Sequence, residues 1–540
     1  MRPLVLADGP FCQVGMRTSL NFGILCAFAL ATRNGLCLNV TVPTSPPASA
    51  RQILPSYVSF SIEQDRWTDW VGTTSPNPFF YNVLDNLKQF TGQPPQIRIG
   101  GDSEDHTDFN SDVQFSQASY PPANADVPYP EAAEVVVGDD YYQTVQFLPP
   151  GTHVIWGLNF GKANLTAAYL SAQSILKAFA SPAVKSAGIM LDGIEIGNEA
   201  DLYAYNGLRQ STYTVMDYVN EWTAFARNIT ESISLASSRT RLWAAAFANT
   251  TPSTLGFSPQ AVLNERVLAS VPGSLISTIS QHHYGGSFCT GSSGLLQDLM
   301  EKTSIRSNLS QFVPDIVATN NKGLDYVLGE TNSYSCHGAP GVSNTAGAAI
   351  WALDYLLYAS QLGISRIFFH QGIGFKYNLV QPVALTRSIL NGSTLVTPLQ
   401  PHVQAQYYAA VIAAEAIGPS GNTTVVELFV DDDRIAGYAF YETSILAKVM
   451  LINSQAYLST DAARPAVHID LNSMGNAILP VLITVKRLFV PHADDTSGLV
   501  WGGQTYETAD GKVSGVLEVE VRNATNGIDI QASEVVLLSF

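Results

Sequence analysis

The sequence predicts an α/β protein: a (β/α)8 TIM barrel with a C-terminal all-β sandwich domain. Between about residues 56 and 372, eight short runs rich in β-branched and aromatic residues alternate with segments of helical periodicity. Eight parallel strands, each followed by a helix, are the number needed to form a closed TIM barrel. After Gly418 the pattern changes to short alternating strands separated by turn residues. We therefore expect residues 56–418 to form the barrel, and residues 32–55 and 419–540 to form the sandwich.

The barrel strands follow one another at intervals that leave room for helices. They are predicted at Tyr57–Glu63, Gln96–Gly101, His153–Phe160, Gly193–Glu199, Arg241–Phe247, Ile276–Tyr284, Tyr326–Glu330 and Arg366–Gly372. Helices are predicted at Leu165–Ala180, Tyr213–Ala236, Pro259–Ser270, Thr345–Leu362 and Val403–Ile417. An open doubly wound sheet is the competing topology. The first strand is not followed by a glycine-rich phosphate loop, which favours the barrel.

The C-terminal region has the pattern of an antiparallel sandwich. Its strands are predicted at Thr424–Val430, Ile435–Tyr441, Ala447–Ile452, Ile478–Val485, Val513–Val521 and Val535–Phe540. Asn39–Val42, which precedes the proline-rich stretch before the barrel, is a candidate for one more strand.

The N-terminus has the features of a secretory signal. Leu20–Ala31 is apolar and about twelve residues long, which suits a signal peptide and is too short for a membrane span. Ala29-Leu30-Ala31 offers a cleavage site, so we expect residues 1–31 to be an extension and signal peptide that is removed near Thr32. Met16 is a natural start for this signal. A buried N-terminal helix is the alternative.

Charge and glycosylation motifs favour an extracellular protein. The net charge of −17 would repel phosphate backbones and anionic lipid, so neither nucleic acid nor a membrane is expected as a partner. N-glycans are expected at several of eight Asn-x-Ser/Thr sequons, at Asn39, Asn164, Asn228, Asn249, Asn308, Asn391, Asn422 and Asn523.

Three cysteines remain once the N-terminal segment with Cys12 and Cys26 is removed. In an oxidising compartment they allow one disulfide and one thiol. Cys289 follows the sixth predicted strand and Cys336 follows the seventh, so a bond between them would join neighbouring loops. We expect this pair, with Cys37 as a buried thiol.

Two predicted strands deliver a glutamate at the mouth of the barrel. Glu199 ends the fourth strand and Glu330 ends the seventh, on facing sides of the mouth. Desolvation there would raise the pKa of a carboxyl toward that of a general acid. A retaining glycosidase uses two such carboxyls, one to protonate the leaving oxygen and one to attack the anomeric carbon. For Glu199 the alternative is an exposed loop carboxylate. Glu195, inside the fourth strand, is interpreted as structural.

These residues resemble clan A glycoside hydrolases, and in particular glycoside hydrolase family 79, the β-glucuronidase and heparanase family. In that clan the acid/base is the glutamate of an Asn-Glu pair ending strand four, and the nucleophile is a glutamate ending strand seven. The resemblance therefore implies Glu199 as the acid/base and Glu330 as the nucleophile.

Further motifs carry the same resemblance over nearly the whole chain from about Ser56. Arg98-Ile99-Gly100-Gly101 resembles the family's Arg-x-Gly-Gly, whose arginine supports the nucleophile. Gly338–Asn344 and Trp351–Asp354 resemble fungal members.

The remaining candidate residues would support the two glutamates. Tyr284, at the end of strand six, is expected to hold the nucleophile ionised, with His283 beside it. Asn198 is expected to bind the sugar 2-hydroxyl, and Glu63 to accept hydrogen bonds from ring hydroxyls. The His282-His283 pair has no third and fourth ligand at usable spacing, so no metal is expected, and no cofactor.

A uronic acid at the −1 subsite needs donors for its own carboxylate. The resemblance points to tyrosines and backbone amides, and Tyr334 and Tyr377 are the candidates, with Lys376 as the cationic alternative. Packing is the competing role for both tyrosines.

The expected function is that of a secreted retaining β-glucuronidase that releases glucuronic acid or its 4-O-methyl form from glycans. The alternatives are an endo-acting heparanase-like enzyme, a β-glycosidase for a neutral sugar, and a catalytically silent carbohydrate-binding relative. Both glutamates argue against the last.

Overall fold

The computed structural model describes residues 36–540, apart from 233–234, 236–237, 249–254 and 475–478. The predicted signal segment, Cys12, Cys26 and the sequon at Asn249 lie outside the described residues. Within them, no helix is both long enough and apolar enough to cross a membrane.

Eight parallel strands form a closed barrel. Each strand pairs with its neighbours in the chain, and the last pairs with the first. Their bounds are β1 (Val58–Glu63), β2 (Ile97–Gly100), β3 (His153–Leu158), β4 (Met190–Ile196), β5 (Arg241–Phe247), β6 (Ile276–Ser287), β7 (Asp325–Ser335) and β8 (Arg366–Gln371). The prediction of a (β/α)8 barrel is confirmed.

Three of these strands end three or more residues away from the predicted position. β4 stops at Ile196, three residues before Glu199. Strands β6 and β7 continue as a paired ribbon to Ser287 and Ser335, beyond the predicted ends at Tyr284 and Glu330. A bulge in β7 at Gly329 shifts the register just before Glu330, and a side chain at Gly329 would collide with the hydroxyl of Ser280.

The helices surround the barrel. They span Trp67–Val71, Pro78–Thr91, Asp139–Gln143, Leu165–Ala180, Pro182–Ser186, Val215–Ser232, Pro259–Asn264, Leu296–Met300, Lys302–Ser310, Val313–Asn320, Ala346–Leu362 and Tyr407–Ile417. The predicted helix at Pro259–Ser270 is shorter than expected, because Arg266 takes a left-handed backbone conformation and a 3-10 turn follows at Val267–Ala269.

Two helices are buried on almost every side. Ala346–Leu362 and Tyr407–Ile417 carry apolar residues on all sides, unlike a surface helix with one apolar stripe, and their few charged residues include Asp354 and Glu415. Ala346–Leu362 packs against strand Thr423–Leu428 of the second domain as well as against barrel helices. These helices therefore belong to the interface between the domains.

The second domain is a β-sandwich, as predicted. Its larger sheet has the order Arg51–Gln52, Thr423–Leu428, Ile435–Glu442, Ile445–Asn453, Glu534–Ser539, Leu482–Phe489, Val500–Trp501, Gln504–Thr505 and Ser514–Gly515, with Glu520–Asn523 beside Leu482–Phe489. The smaller sheet contains Leu36–Val42, Ala466–Ser473 and Ile528–Gln531. Leu36–Val42 includes the candidate strand Asn39–Val42. Ala466–Ser473 was not predicted, although Val467, Ile469 and Leu471 alternate there with His468, Asp470 and Asn472, the pattern of a half-buried strand.

A partly buried ionic cluster joins the two domains. Arg306, on a barrel helix, binds both oxygens of Asp354, Glu427 at 2.6 Å and the hydroxyl of Tyr438 at 2.8 Å. Glu427 and Tyr438 belong to the sandwich. The cluster therefore connects helices of the barrel to strands of the sandwich.

Loops on the mouth side of the barrel carry small sheets of their own. The β2–β3 loop holds Thr107–Phe109, Ser116–Ser119 and Glu134–Val137. The loop after β8 holds the hairpin of Leu385–Arg387 and Thr394–Leu399. The hydroxyl of Tyr129 bonds both to the carbonyl and to the N–H of Arg387, so these two loops meet.

Candidate active site

Glu330 lies on the inner face of β7, with donors on both carboxylate oxygens. Tyr284 of β6 donates its hydroxyl to Oε1 at 2.7 Å. Arg98 of β2 donates Nη1 to Oε2 at 3.0 Å. Only 8% of the Glu330 side chain is exposed. Its contacts therefore fix the orientation of the carboxylate.

Glu199 reaches the mouth through a strained turn. It has φ 49° and ψ 46°, a left-handed conformation that costs a residue other than glycine about 1–2 kcal/mol. Its N–H is held by the carbonyl of Ala246 at 2.8 Å, and Gly197 before it also has positive φ. The surrounding structure imposes this turn, which is typical of functional sites. The Glu199 carboxyl lies 2.8 Å from Nδ1 of His282.

The two carboxyl groups converge. One oxygen of Glu199 and one of Glu330 lie within 4.8 Å of each other. Retaining glycosidases have carboxyls about 5–5.5 Å apart, and inverting enzymes need about 6.5–9.5 Å to admit a water. The spacing is that of a retaining enzyme.

The pKa values of the two carboxyls move in opposite directions. Burial raises the pKa of Glu199 well above its usual range, and the charges of Asp102 and Glu330 add to the effect. Burial also opposes ionisation of Glu330. There His370, Arg98 and the Tyr284 hydrogen bond outweigh it and lower the pKa to about 2. One group thus holds a proton while the other is ionised, as an acid and a nucleophile require.

Arg98 links the strands beneath the site. Its guanidinium is fully buried and donates to Glu195 at 2.7 Å, to Ser61 at 2.8 Å and to Asn198 Oδ1 at 2.8 Å, besides Glu330. Glu195 is therefore the structural partner that the sequence predicted. Arg98 contacts Glu330 directly, as its expected supporting role requires.

Asn198 is oriented from several sides. Its Oδ1 accepts from Arg98, its Nδ2 donates to Asp102 at 3.2 Å, and its backbone N–H points to Asp105 at 3.4 Å. Asp102 is exposed at the mouth and was missed by sequence reasoning. The signal available was its position directly after the Arg-Ile-Gly-Gly motif.

The expectation that His283 supports the catalytic glutamates is wrong. His282, its neighbour in the chain, lies beside them instead. His283 points away from the mouth, with Nδ1 2.8 Å from the Tyr355 hydroxyl and its ring against Phe312. His282 faces Glu199 and lies 3.9 Å from Glu330 Oε2. Side chains alternate along a strand, so His282 and Tyr284 share the inner face and His283 cannot. That alternation was readable in the sequence.

Glu63 does not present free oxygens to a sugar, contrary to the expectation. Oε1 accepts the N–H of Asp102 at 3.0 Å and faces Nε2 of His370 at 3.2 Å. Oε2 accepts both the N–H and the hydroxyl of Ser103. All four acceptor positions of the carboxylate are occupied, so Glu63 anchors the loop after β2.

Of the two tyrosines expected near a uronate, Tyr377 lies closer to the carboxyls. It is 2% exposed, and its ring centre is 5.9 Å from that of Tyr284. Burial and the charge of Glu330 raise its pKa well above the usual range, so the phenol stays a donor. Tyr334 lies four residues beyond Glu330 on the ribbon, where its ring borders Gly286 and Gly294.

Lys376 is buried in the loop that follows β8. Its ammonium donates to the carbonyl of Asp126 at 3.0 Å and lies 5.1 Å from the ring centre of Phe288. Burial lowers its pKa to about 8. The described contacts of its ammonium are with the rim loops and not with Glu199 or Glu330.

Cys289 and Cys336 form a disulfide with their Cα atoms 5.2 Å apart, which joins the loops after β6 and β7. Next to it, His337 Nε2 lies 2.5 Å from Glu131, which ties the β7 loop to the β2–β3 loop. Cys37 is half-buried, not buried as expected, and its sulfur lies 3.4 Å from the Asp470 carboxylate.

Among the described residues, one group of three possible metal ligands is close together: Glu199, His282 and Glu330. Hydrogen bonding accounts for this closeness, since His282 bonds Glu199, and Arg98 and Tyr284 bond Glu330. That the enzyme needs no metal and no cofactor stays a prediction.

The site lies in a closed (β/α)8 barrel, where a glutamate in the turn after β4 converges on a glutamate of β7 that is held by an arginine of β2 and a tyrosine of β6. This arrangement defines a retaining glycoside hydrolase. The profile of the glycosyl hydrolase family 79 C-terminal beta domain matches residues 437–537. A β-glucuronidase of Aspergillus niger is 30% identical over 511 residues, which cover 91% of this chain and 89% of the relative. The chain therefore belongs to glycoside hydrolase family 79.

Two further similarities agree with this assignment. A β-glucuronidase of Neurospora crassa is 26% identical over 518 residues, covering 86% of this chain and 87% of the relative. The crystal structure of a 4-O-α-L-rhamnosyl-β-D-glucuronidase from Fusarium oxysporum 12S, in complex with Rha-GlcA, has a TM-score of 0.76. It is 24% identical and covers 93% of this chain and 100% of its own, which shows the shared fold.

Proposed function

We propose that this chain is a secreted retaining β-glucuronidase with Glu330 as nucleophile and Glu199 as acid/base. The observation that carries the proposal is the convergence of these carboxyls to within 4.8 Å with opposite pKa shifts. The glucuronide as substrate is carried over from the two relatives named β-glucuronidases.

In the first step Glu330 attacks the anomeric carbon and Glu199 gives its proton to the glycosidic oxygen. The bond between that carbon and the oxygen breaks, the aglycone leaves as an alcohol, and the sugar becomes an ester of Glu330. Tyr284 and Arg98, which bond the two oxygens of Glu330, orient the attack.

In the second step Glu199, now a carboxylate, takes a proton from a water that attacks the same carbon. The ester bond breaks, Glu330 regains its charge, and the sugar leaves with its original configuration. Asn198, fixed by Arg98 and Asp102, binds the 2-hydroxyl, an interaction that strengthens in the oxocarbenium-like transition state.

The substrate's own carboxylate is assigned to donors on the side of β8. Tyr377 keeps its phenolic proton and lies beside Tyr284. Tyr377 is therefore a neutral hydrogen-bond donor near Glu330, and it does not compete with Glu199 as a base. Tyr334 is assigned to the rim, where a longer substrate would pass. Lys376 is the cationic alternative, and it would first have to leave the Asp126 carbonyl.

Secretion is part of the proposal. The disulfide suits an oxidising compartment. Four sequon asparagines are exposed, Asn39, Asn164, Asn391 and Asn422, and three are half-buried, Asn228, Asn308 and Asn523. We expect N-glycans at the exposed ones, and neither nucleic acid nor a membrane as a partner. Mass spectrometry of the secreted protein, before and after enzymatic deglycosylation, tests this.

The activity is tested with a panel of nitrophenyl glycosides that includes β-D-glucuronide, its 4-O-methyl form, and neutral β-sugars. We expect hydrolysis of the β-glucuronides, and loss of that activity in Glu330→Gln. Glu134→Gln, an exposed glutamate of the β2–β3 loop, is the matched control and should retain it. Preference for a neutral sugar would refute the substrate, and full activity in Glu330→Gln would refute the nucleophile.

A further inference from the structure

His370 is a buried histidine between two carboxylates. It lies on the inner face of β8 and is 2% exposed. Its Nε2 is 3.2 Å from Glu63 Oε1, and its Nδ1 is 3.5 Å from Glu330 Oε2. The hydroxyl of Ser61 lies 3.1 Å from the same Nδ1. Both ring nitrogens therefore face a carboxylate.

This placement favours the doubly protonated ring. A neutral imidazole has one N–H and one lone pair. Whichever nitrogen lost its proton would turn a lone pair toward Glu63 or toward Glu330. With Nε2 protonated, a neutral ring could accept the one proton of the Ser61 hydroxyl at Nδ1, 3.1 Å away, but Oε2 of Glu330 would then face a lone pair and not a donor. A doubly protonated ring directs one N–H toward Glu63 and the other toward Glu330.

The charges around the ring point the same way. Glu330 on β7 and Glu63 on β1 favour the cation, while burial and Arg98 on β2 oppose it, and the net direction is a raised pKa for His370. Two more groups feel its charge: His282 on β6 and Glu131 of the β2–β3 loop. Since Arg98 also bonds Glu195, it alone does not balance the carboxylates of this cluster.

We propose that His370 is a positioning residue that remains protonated and holds Glu330 ionised and oriented for attack. This inference rests on the proposed role of Glu330. In the ground state the imidazolium and Arg98 stabilise the charge on Oε2. When the glycosyl ester breaks down in the second step, the charge returns to Glu330 beside the same cation, which favours its departure.

The test is the pH dependence of kcat and kcat/KM for His370→Gln on nitrophenyl β-D-glucuronide. Without the cation, the pKa of Glu330 should rise, so the acid limb of kcat/KM should move up by about one to three pH units. We expect kcat to fall by about 100-fold or more, with a smaller change in KM. His370→Lys should recover part of kcat, because it restores the charge.

The matched control is His283→Gln, which removes a buried histidine of the same barrel that does not contact Glu330. The acid limb of kcat/KM for this variant should lie at the same pH as for the wild-type enzyme. A folded His370→Gln enzyme with an unmoved acid limb would overturn the inference, while inactivity of Glu330→Gln would still support the proposed nucleophile.

A second measurement uses the wild-type enzyme, so it does not depend on how the variant folds. NMR of the enzyme with ¹⁵N-labelled histidine should show one ring with both nitrogens protonated at pH 7, absent from His370→Gln or His370→Lys. Assignment of a neutral ring to His370 at that pH would contradict the proposal.

Discussion

The hydroxyl of Tyr284 donates a 2.7 Å hydrogen bond to Oε1 of Glu330, across the neighbouring strands β6 and β7. Burial and the charge of Glu330 raise the pKa of this tyrosine well above its usual range, so it stays a donor. The bond stabilises the ionised carboxylate and leaves the other oxygen to Arg98.

Replacing Tyr284 by Phe should lower kcat by about 10- to 100-fold, since one hydrogen bond to a charged group is lost and the carboxylate is less fixed. The acid limb of kcat/KM should move to higher pH, because the pKa of Glu330 rises. Steady-state kinetics across pH measure both. Tyr169→Phe, on a peripheral helix, is the control and should behave as the wild type.

Glu199 should set the basic limb of the pH–activity profile. Its raised pKa means that it holds its proton to higher pH, and activity is lost as the pH rises through that pKa. Glu330, with a pKa of about 2, is ionised above that pH and gives the acid limb. In Glu199→Gln we expect the basic limb to disappear.

The same Glu199→Gln variant should keep more activity on substrates whose leaving group needs no proton. Hydrolysis of dinitrophenyl β-glucuronide should fall less than that of an alkyl β-glucuronide, and azide should accelerate turnover of Glu199→Ala by attacking the glycosyl-enzyme. Equal loss on both substrates, together with no effect of azide, argues against the acid/base role.

Arg98 should matter for stability as well as activity. Arg98→Met leaves Glu195 and Glu330 without their buried cation, a change that costs about 3–5 kcal/mol. Chemical denaturation measures the loss, and Arg241→Met, at the less buried start of β5, is the comparison. A loss below about 1 kcal/mol, as for a surface ion pair, would mean that Arg98 does not hold the site together.

The disulfide should hold the loops after β6 and β7. Its sulfurs close a segment with a sequence separation of 47 residues, and we expect the double variant Cys289→Ser/Cys336→Ser to lose about 2–4 kcal/mol. A rise in KM should accompany this, because Cys336 adjoins the His337–Glu131 contact at the rim. Unchanged thermal stability and unchanged KM would show that the loops hold their positions without it.

The sequence was sufficient for the fold because the barrel depends on patterns that can be read locally. Eight apolar runs with helical gaps predicted eight strands, and Glu199 and Glu330 followed from their places at the ends of predicted strands. Arg98 and Tyr284 followed from the resemblance to clan A and family 79. Most of the larger sheet of the sandwich followed from alternation. Ala466–Ser473 and Ile528–Gln531 of the smaller sheet were missed, although both alternate apolar and polar residues.

What the sequence did not reveal depends on contacts between distant segments. His370 becomes notable only when β1 and β7 bring Glu63 and Glu330 to its two nitrogens. Glu63 seemed available for a sugar until Asp102 and Ser103 were seen to occupy it. His282 is different, because strand alternation alone would have distinguished it from His283.

The central claim is the covalent intermediate on Glu330, and trapping tests it most directly. Incubation with a 2-deoxy-2-fluoro β-glucuronosyl fluoride, followed by proteolysis and mass spectrometry, should find one fluoroglucuronosyl group on the peptide that contains Glu330. Label on a different residue would contradict the account. So would the absence of label while the reagent is hydrolysed with inversion at the anomeric carbon.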